Sequence, residues 1–264
     1  MPKGLRGALM RGIEGKRVFV TAGAAGIGLA LACAFRDAGA RVAVSDLDAD
    51  AVAKVPEGIS AHAADVASEA EMAGVFRALD AGWGGVDIVC ANAGTGGPAG
   101  EIETLAFADW RACVSANLDG AFLTCRWAAG HMSRQEAGVI LLTSSTAGLF
   151  GYPLRTPYAT AKWGVIGLMK TLAMELGPRG VRVNALCPGS VEGPRMDRVV
   201  ANEARARGSQ EAEIRESYVK GVSMNTWVTA EEVADAALFL ASDAASKISG
   251  LALPVDGHTE TLAP

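Results

Sequence analysis

Short runs of β-branched and other apolar residues alternate along this chain with longer alanine-rich stretches whose apolar positions recur at helical spacing. The short runs suit strands buried on both faces and the long ones suit helices that cover them, so the alternation predicts an α/β fold. Its core would be a doubly wound, seven-stranded parallel sheet with helices on both faces. Strands are expected at 17–21 (R-V-F-V-T), 41–45 (R-V-A-V-S), 59–63, 86–90, 138–143, 181–186 and 251–255. Two helix starts have the spacing of a capping box, Ser68 with Glu71 and Thr229 with Glu232. Residues 193–224 stand outside the alternation, where a Gly-Pro break leads into the charged helical stretch E-A-R-A-R-G-S-Q-E-A-E-I-R-E. No repeat, linker or low-complexity tract divides the chain, which predicts a single domain over 14–264 after a loose basic arm at 1–13.

Composition narrows the class. With 264 residues, half of them hydrophobic, the chain can bury a large core. A net charge of −5 and the lack of any basic run argue against general affinity for nucleic acid or anionic lipid. The five cysteines lie scattered in apolar stretches with no C-x-x-C pair, as expected of reduced packing residues. His62, His131 and His258 have no partners at ligand spacing, so no metal is expected. No uninterrupted apolar run is long enough to span a membrane, and the opening dozen residues lack the apolar centre of a secretion signal, so a cytoplasmic protein is expected.

Candidate chemistry begins with Tyr158 and Lys162 in P-Y-A-T-A-K-W-G. Four residues is one helical turn, so an ammonium would lie beside a phenol on one helix face and favour its phenolate. Upstream, Ser145 follows the apolar strand of I-L-L-T-S-S-T-A-G. Near the N-terminus the strand R-V-F-V-T runs into A-G-A-A-G-I-G at 22–28 and then an apolar helix. Glycines at such a turn let the backbone approach a pyrophosphate while the helix N-terminus offers amide donors, which makes Gly23, Gly26 and Gly28 the candidate cradle. The next strand ends at Asp46, about twenty residues on, where an acidic ribose ligand is expected; Asp46 would otherwise begin a turn with Asp48 and Asp50.

In this order the motifs resemble the short-chain dehydrogenase/reductase family over about residues 14–258. The segments that carry the resemblance are T-A-G-A-A-G-I-G at 21, A-D-V at 64, A-N-A-G at 91, S-A-N-L at 115, Ser145, Y-A-T-A-K at 158, R-V-N-A-L-C-P-G at 182 and P-V-D-G near the end. The resemblance implies a single-domain Rossmann fold, a nicotinamide cofactor and a catalytic tetrad of Asn117, Ser145, Tyr158 and Lys162. It further implies that Ile27, Leu47, Ala93 and Gly94 flank the cofactor, that Asp65 and Val66 border the adenine, and that Asn92 steadies the central sheet beside the cofactor. Pro188, Gly189 and Val191 would flank the nicotinamide, and residues 193–224 would form a substrate lid. Homotetramers are usual in the family, and Trp127, Trp163 and the run V-I-G-L-M-K-T-L-A-M agree with such packing.

Departures from the family pattern carry information of their own. Ala22 replaces the first glycine of the loop, which implies a backbone angle that a residue with a Cβ can adopt. Gly193 stands where a threonine usually meets the nicotinamide carboxamide, leaving Ser190 or a backbone group to take that contact. His258 replaces a second glycine. The carboxylate of Asp46 can accept from both ribose hydroxyls of NAD and would repel the extra phosphate of NADP, and Ala24 and Ala25 supply no compensating cation, so NAD is expected. A small polar hydroxylated molecule is the expected substrate, held by Ser145, Tyr152, Arg155, Tyr158, Ser190 and Arg195. In 3-hydroxybutyrate dehydrogenases of this family a lysine three residues before the tyrosine helps to hold the substrate carboxylate, and Arg155 has that offset. Ala147, Gly96 and Ser190, however, stand where those enzymes have His, Gln and Trp. A hydroxy acid is therefore weighed against a sugar or polyol, a 3-oxoacyl thioester and a non-catalytic NAD-binding role.

Overall fold

A computed structural model of the chain describes residues 11–261. Seven strands form one wholly parallel sheet in the order β3-β2-β1-β4-β5-β6-β7, a Rossmann-like arrangement. They are β1 (Arg17–Thr21), β2 (Arg41–Asp46), β3 (Ile59–Ala63), β4 (Ile88–Ala91), β5 (Gly138–Thr143), β6 (Val181–Pro188) and β7 (Ala252–Val255). All seven fall where the apolar runs predict them, with ends shifted by one or two residues. β4 starts two residues late, directly after Asp87, whose backbone bonds Arg17 and Val139 and whose carboxylate also accepts from Arg17 at the start of β1.

The period of two along each strand divides the core. On β1, Val18 and Val20 face one side, where α1 (Gly26–Asp37) and α9 (Ala230–Ala241) contribute Leu31, Phe35, Val233 and Leu238. Phe19 faces the other, against α3 (Glu69–Trp83), α5 (Gly120–Gln135) and α6 (Thr156–Leu176), where Met72, Met132, Val165 and Met169 are fully buried. Phe76 and Trp127 stack at 4.7 Å and both present edges to Phe19. Trp127, half-buried, also donates to Asp80, so part of its ring is engaged within the subunit.

Both expected helix caps are found, in different forms. Thr229 and Glu232 make a complete capping box on α9. Ser68 accepts from the Glu71 N–H, but the Glu71 carboxylate accepts from the Asp65 N–H instead of completing the box. The first ten residues of the expected N-terminal arm lie outside the described residues. Its end is not loose: Ile13 is fully buried, and the Arg11 carbonyl accepts from Asp243. One apolar side chain seated in the core outweighs the polar surroundings that suggested an arm.

Strand order reverses between β1 and β4. The crossovers leave in opposite directions there and open a crevice at the carboxyl ends of the strands. The stretch after β6 forms α7 (Pro194–Arg207) and α8 (Glu211–Ser217), which share a small apolar cluster of Val200, Ala204 and Ile214 backed by Tyr218 and Trp227. At its base Val191 pairs with Val228, and the Ser190 carbonyl accepts from the Val228 N–H at 2.9 Å.

Candidate active site

The β1–α1 turn is shaped by its glycines. A Cβ on Gly28 would overlap the Ala22 carbonyl oxygen, and one on Gly23 would sit 2.5 Å from Val44. Gly26 has φ of 51°, the left-handed region that glycine enters without cost. Ala22 is also left-handed, at φ 50°, so its Cβ is accommodated at a cost of roughly 1–2 kcal/mol. Ala25 caps α1 without a side-chain hydrogen bond, so the first-turn amides face the crevice free of competition from a capping side chain. Close backbone approach, uncapped amides and a helix N-terminus fit a pyrophosphate.

Asp46 closes β2 beside this turn. One carboxylate oxygen accepts from the Ala24 N–H at 3.0 Å and the other from the Asp48 N–H at 3.1 Å. Asp48 in turn caps the short helix α2 (Ala49–Val52). The ribose-ligand and turn readings of Asp46 are therefore compatible, since backbone donors fix a carboxylate that still has lone pairs toward the crevice. Asp46, Leu47, Asp65, Val66, Ala93 and Gly94 line one cavity of about 190 Å³. Leu47 is 72% exposed at the rim of this cavity, and a Cβ on Gly120 would press into Val66.

Asn92 links three strand ends. Its Nδ2 donates to the Thr21 carbonyl at 3.2 Å and its Oδ1 accepts from the Thr143 hydroxyl at 3.0 Å. The Thr21 hydroxyl accepts from both the Asn92 and Ala93 N–H groups. Thr21 and Thr143, both buried, hold Asn92 and were passed over by the motif reading; each is the last residue of its strand.

Tyr158 occupies the first turn of α6, next to Pro157, whose missing N–H costs nothing there. Lys162, one turn on, is 4% exposed; its Nζ donates to the Thr143 carbonyl at 2.9 Å and lies 5.7 Å from the Tyr158 ring centroid. Ser145 opens the tight turn after β5, its hydroxyl accepting from the Ala147 N–H at 3.2 Å. That turn is held to α6 by the neighbouring Ser144, which donates to the Lys162 carbonyl.

Asn117 lies on a π-helical turn, Ser115–Asp119, between α4 (Phe107–Val114) and α5, rather than within one regular helix. Its Nδ2 donates to the Thr95 and Cys113 carbonyls, and its buried Oδ1 has no hydrogen-bond partner among the described residues. A Cβ on Gly94 would overlap that Oδ1 and come within 3.1 Å of Lys162 Nζ, so the missing side chain brings the amide and the ammonium together. The extra residue of the π turn re-aims one side chain, which sequence periodicity does not register.

Arg155 precedes α6. Its Nη2 donates to the Gly96 carbonyl at 2.9 Å, its guanidinium carbon lies 5.7 Å from the Tyr152 ring, and its Nε is buried without an acceptor. Arg155 makes no ion pair with a carboxylate among the described residues. Gly189 packs against Asp256 so closely that a Cβ would lie 3.1 Å from the Asp256 backbone, which explains the glycine after Pro188. His258 holds φ at 70°, consistent with the glycine expected there, and its Nδ1 meets the Ser223 hydroxyl at 2.6 Å. The Arg195 side chain lies outside the described residues.

A family model described as "Enoyl-(Acyl carrier protein) reductase" matches residues 22–258. The D-beta-hydroxybutyrate dehydrogenase of Rhizobium meliloti (strain 1021) is 34% identical over 252 residues, covering 92% of this chain and 97% of that protein. The structure of an NAD+-bound xylitol dehydrogenase superposes with TM-score 0.88 at 28% identity, covering 94% of this chain and 100% of that one. The L-sorbose reductase of Gluconobacter frateurii, complexed with NADPH and L-sorbose, gives 0.89 at 25% identity, covering 97% and 99%. With its sheet, glycine turn and Tyr-Lys pair in the same order along the chain, the protein belongs to the short-chain dehydrogenase/reductase family, oxidoreductases that act on CH–OH groups.

Proposed function

We propose that the protein is an NAD-dependent oxidoreductase that interconverts a small secondary alcohol, preferably a hydroxy acid, and its ketone, with Tyr158 as general acid and base. The observation that carries this reading is the buried Lys162 ammonium, fixed on the Thr143 carbonyl one helical turn from Tyr158 and beside the partnerless Asn117 Oδ1. When bound, the nicotinamide cofactor supplies the acceptor or donor of hydride. Gly23, Gly26, Ile27 and Gly28 would hold its pyrophosphate, Asp46 its adenosine ribose, Leu47, Asp65 and Val66 its adenine, and Ala93 and Gly94 its middle. Pro188, Gly189 and Val191 would border the nicotinamide.

Ser145 donates to the substrate oxygen and orients it. Tyr158 takes the hydroxyl proton in oxidation and returns it in reduction, while Lys162 stabilises the phenolate. Asn117 Oδ1 accepts from a water that relays the proton from Lys162 outward. Asp46 has no cation paired to it among the described residues, which supports NAD over NADP. Arg155, half-buried and without a carboxylate partner among the described residues, supports an anionic group on the substrate. The sugar or polyol reading has its own support in the xylitol and sorbose enzymes, since the same guanidinium can donate to hydroxyls. Residues 193–224 act as the lid, closing from their base at Val191 and Val228, and the enzyme works in the cytoplasm as a homotetramer.

The test is turnover of hydroxy acids, polyols and neutral secondary alcohols with NAD and with NADP, read by absorbance of the reduced cofactor. Tyr158→Phe is expected to lower kcat by at least roughly a thousandfold while NADH binding persists. Substantial remaining turnover would reject Tyr158 as the proton carrier, and NADH binding by the wild type with no turnover of any substrate would favour a non-catalytic role.

A further inference from the structure

Arg155 and Lys162 bracket Tyr158 on α6, one about a turn before it and the other a turn after. The Arg155 guanidinium carbon lies 5.8 Å from the Tyr158 ring centroid, matching the 5.7 Å of Lys162 Nζ. The guanidinium is fixed by its bond to the Gly96 carbonyl, and its Nε is buried with no acceptor. A second hydrogen bond, from the Gly100 N–H to the Leu154 carbonyl, ties the same two loops together. This charge is therefore held beside the phenol before any substrate arrives.

We propose that Arg155 is a positioning residue for proton transfer: its fixed charge acts with that of Lys162 to stabilise the Tyr158 phenolate, so the tyrosine serves as a base at lower pH than Lys162 alone would allow. The inference rests on the reading of Tyr158 as the general base and is independent of any anion on the substrate. Groups that face this cluster include the Tyr152 phenol from the preceding loop and the Cys113 thiol of α4, which lies within electrostatic reach of both Arg155 and Lys162. Behind Lys162 stand the Cys187 thiol of β6 and, beyond it, Asp256. Burial raises the Cys113 thiol and pushes Cys187 up to about 12, so both thiols stay neutral. The Asp256 carboxylate is engaged by the N–H groups of His258 and Thr259. At about 6 Å, with an effective dielectric of about 20 and some solvent screening, one such charge shifts a phenol's pKa by roughly one.

The chain has three tyrosines, Tyr152, Tyr158 and Tyr218, so the phenolate of Tyr158 can be isolated by ultraviolet titration of the wild type minus that of Tyr158→Phe. No substrate is needed. The same difference is taken in the Arg155→Met, Arg155→Gln and Arg155→Lys backgrounds, with Tyr152→Phe as a control for the neighbouring phenol. Both neutral variants are expected to raise the Tyr158 pKa by roughly one, and Arg155→Lys to restore most of it; the low-pH limb of alcohol oxidation should move in step. A Tyr158 pKa unmoved by either neutral variant, or moved as far by Arg155→Lys, would overturn the proposal. Two neutral side chains of different shape guard against one of them failing to fold. If Tyr158→Phe itself keeps full turnover, the reading of Tyr158 as base fails separately, whatever the titration shows. A variant that changes only KM for hydroxy acids, with the pKa unmoved, would leave Arg155 a substrate clamp.

Discussion

Single backbone positions decide whether the phosphate turn exists at all. Ala22 pays for a left-handed angle with its Cβ, whereas Gly28 has no room for one. Ala22→Gly should therefore leave stability unchanged or raise it by up to about 1 kcal/mol, because relief of the strained angle is partly offset by the freer unfolded chain. Gly28→Ala should cost about 3 kcal/mol or more and weaken NADH binding, since the overlap is with backbone. Denaturant titration of both variants checks the pair; a destabilised Ala22→Gly would contradict the cost assigned to that angle. Asp46 acts at the same scale through charge. Asp46→Ser with Leu47→Arg should shift the ratio of kcat/KM for NADP over NAD upward by tenfold or more, as rough Coulomb arithmetic at contact distance suggests. Wild-type protein that uses NADP as well as NAD would refute the argument.

Between elements, the firmest polar tie lies at the sheet end opposite the site. Arg17 donates from its backbone N–H, Nε and Nη2 to the Asp87 carboxylate, each at 2.8 Å, and reaches on to the Trp83 carbonyl and the Gln135 side chain. It joins the starts of β1 and β4 to the ends of α3 and α5. Burial pushes the Asp87 carboxyl up, but the hydrogen bonds and charge of Arg17 outweigh it and hold the group below the usual carboxylate range. A carboxylate depressed on folding contributes stability above its unfolded pKa of about 3.9 and loses it as pH falls through the lower folded value. Asp87→Asn should thus cost about 2 kcal/mol at neutral pH, with the gap in Tm to wild type closing below about pH 4. A gap that persists in acid would mean that packing, not charge, holds the tie.

Across the whole molecule several large apolar side chains reach the surface. Phe107 is 75% exposed, Phe122 47%, Trp163 50% and Met174 81%, all on α4, α5 and α6. Trp127, by contrast, is occupied inside. The homotetramer proposal therefore rests on the outer faces of these helices, whose exposed large side chains are the proposed contact between copies. Light scattering at micromolar protein should give a tetramer, and Trp163→Glu with Met174→Glu should reduce it to smaller species. A wild-type monomer would sink the proposal.

The sequence by itself determined the α/β class, the seven strands, and the identities and chain positions of the glycine turn, Asp46 and the Tyr158–Lys162 pair. Those features are local: strand period, turn chemistry and one-turn offsets are written within a few residues of one another. It did not show which strand ends Asn92 joins, that a π turn aims Asn117 at Lys162 across Gly94, or that Ile13 is buried and Trp127 stacks on Phe76. Nor did it show that Arg155 stands over the Tyr158 ring while gripping Gly96, fifty-nine residues away in the chain. These relations join residues far apart in sequence, and only closing the sheet in its order, with its crossovers and close backbone contacts, brings them within reach.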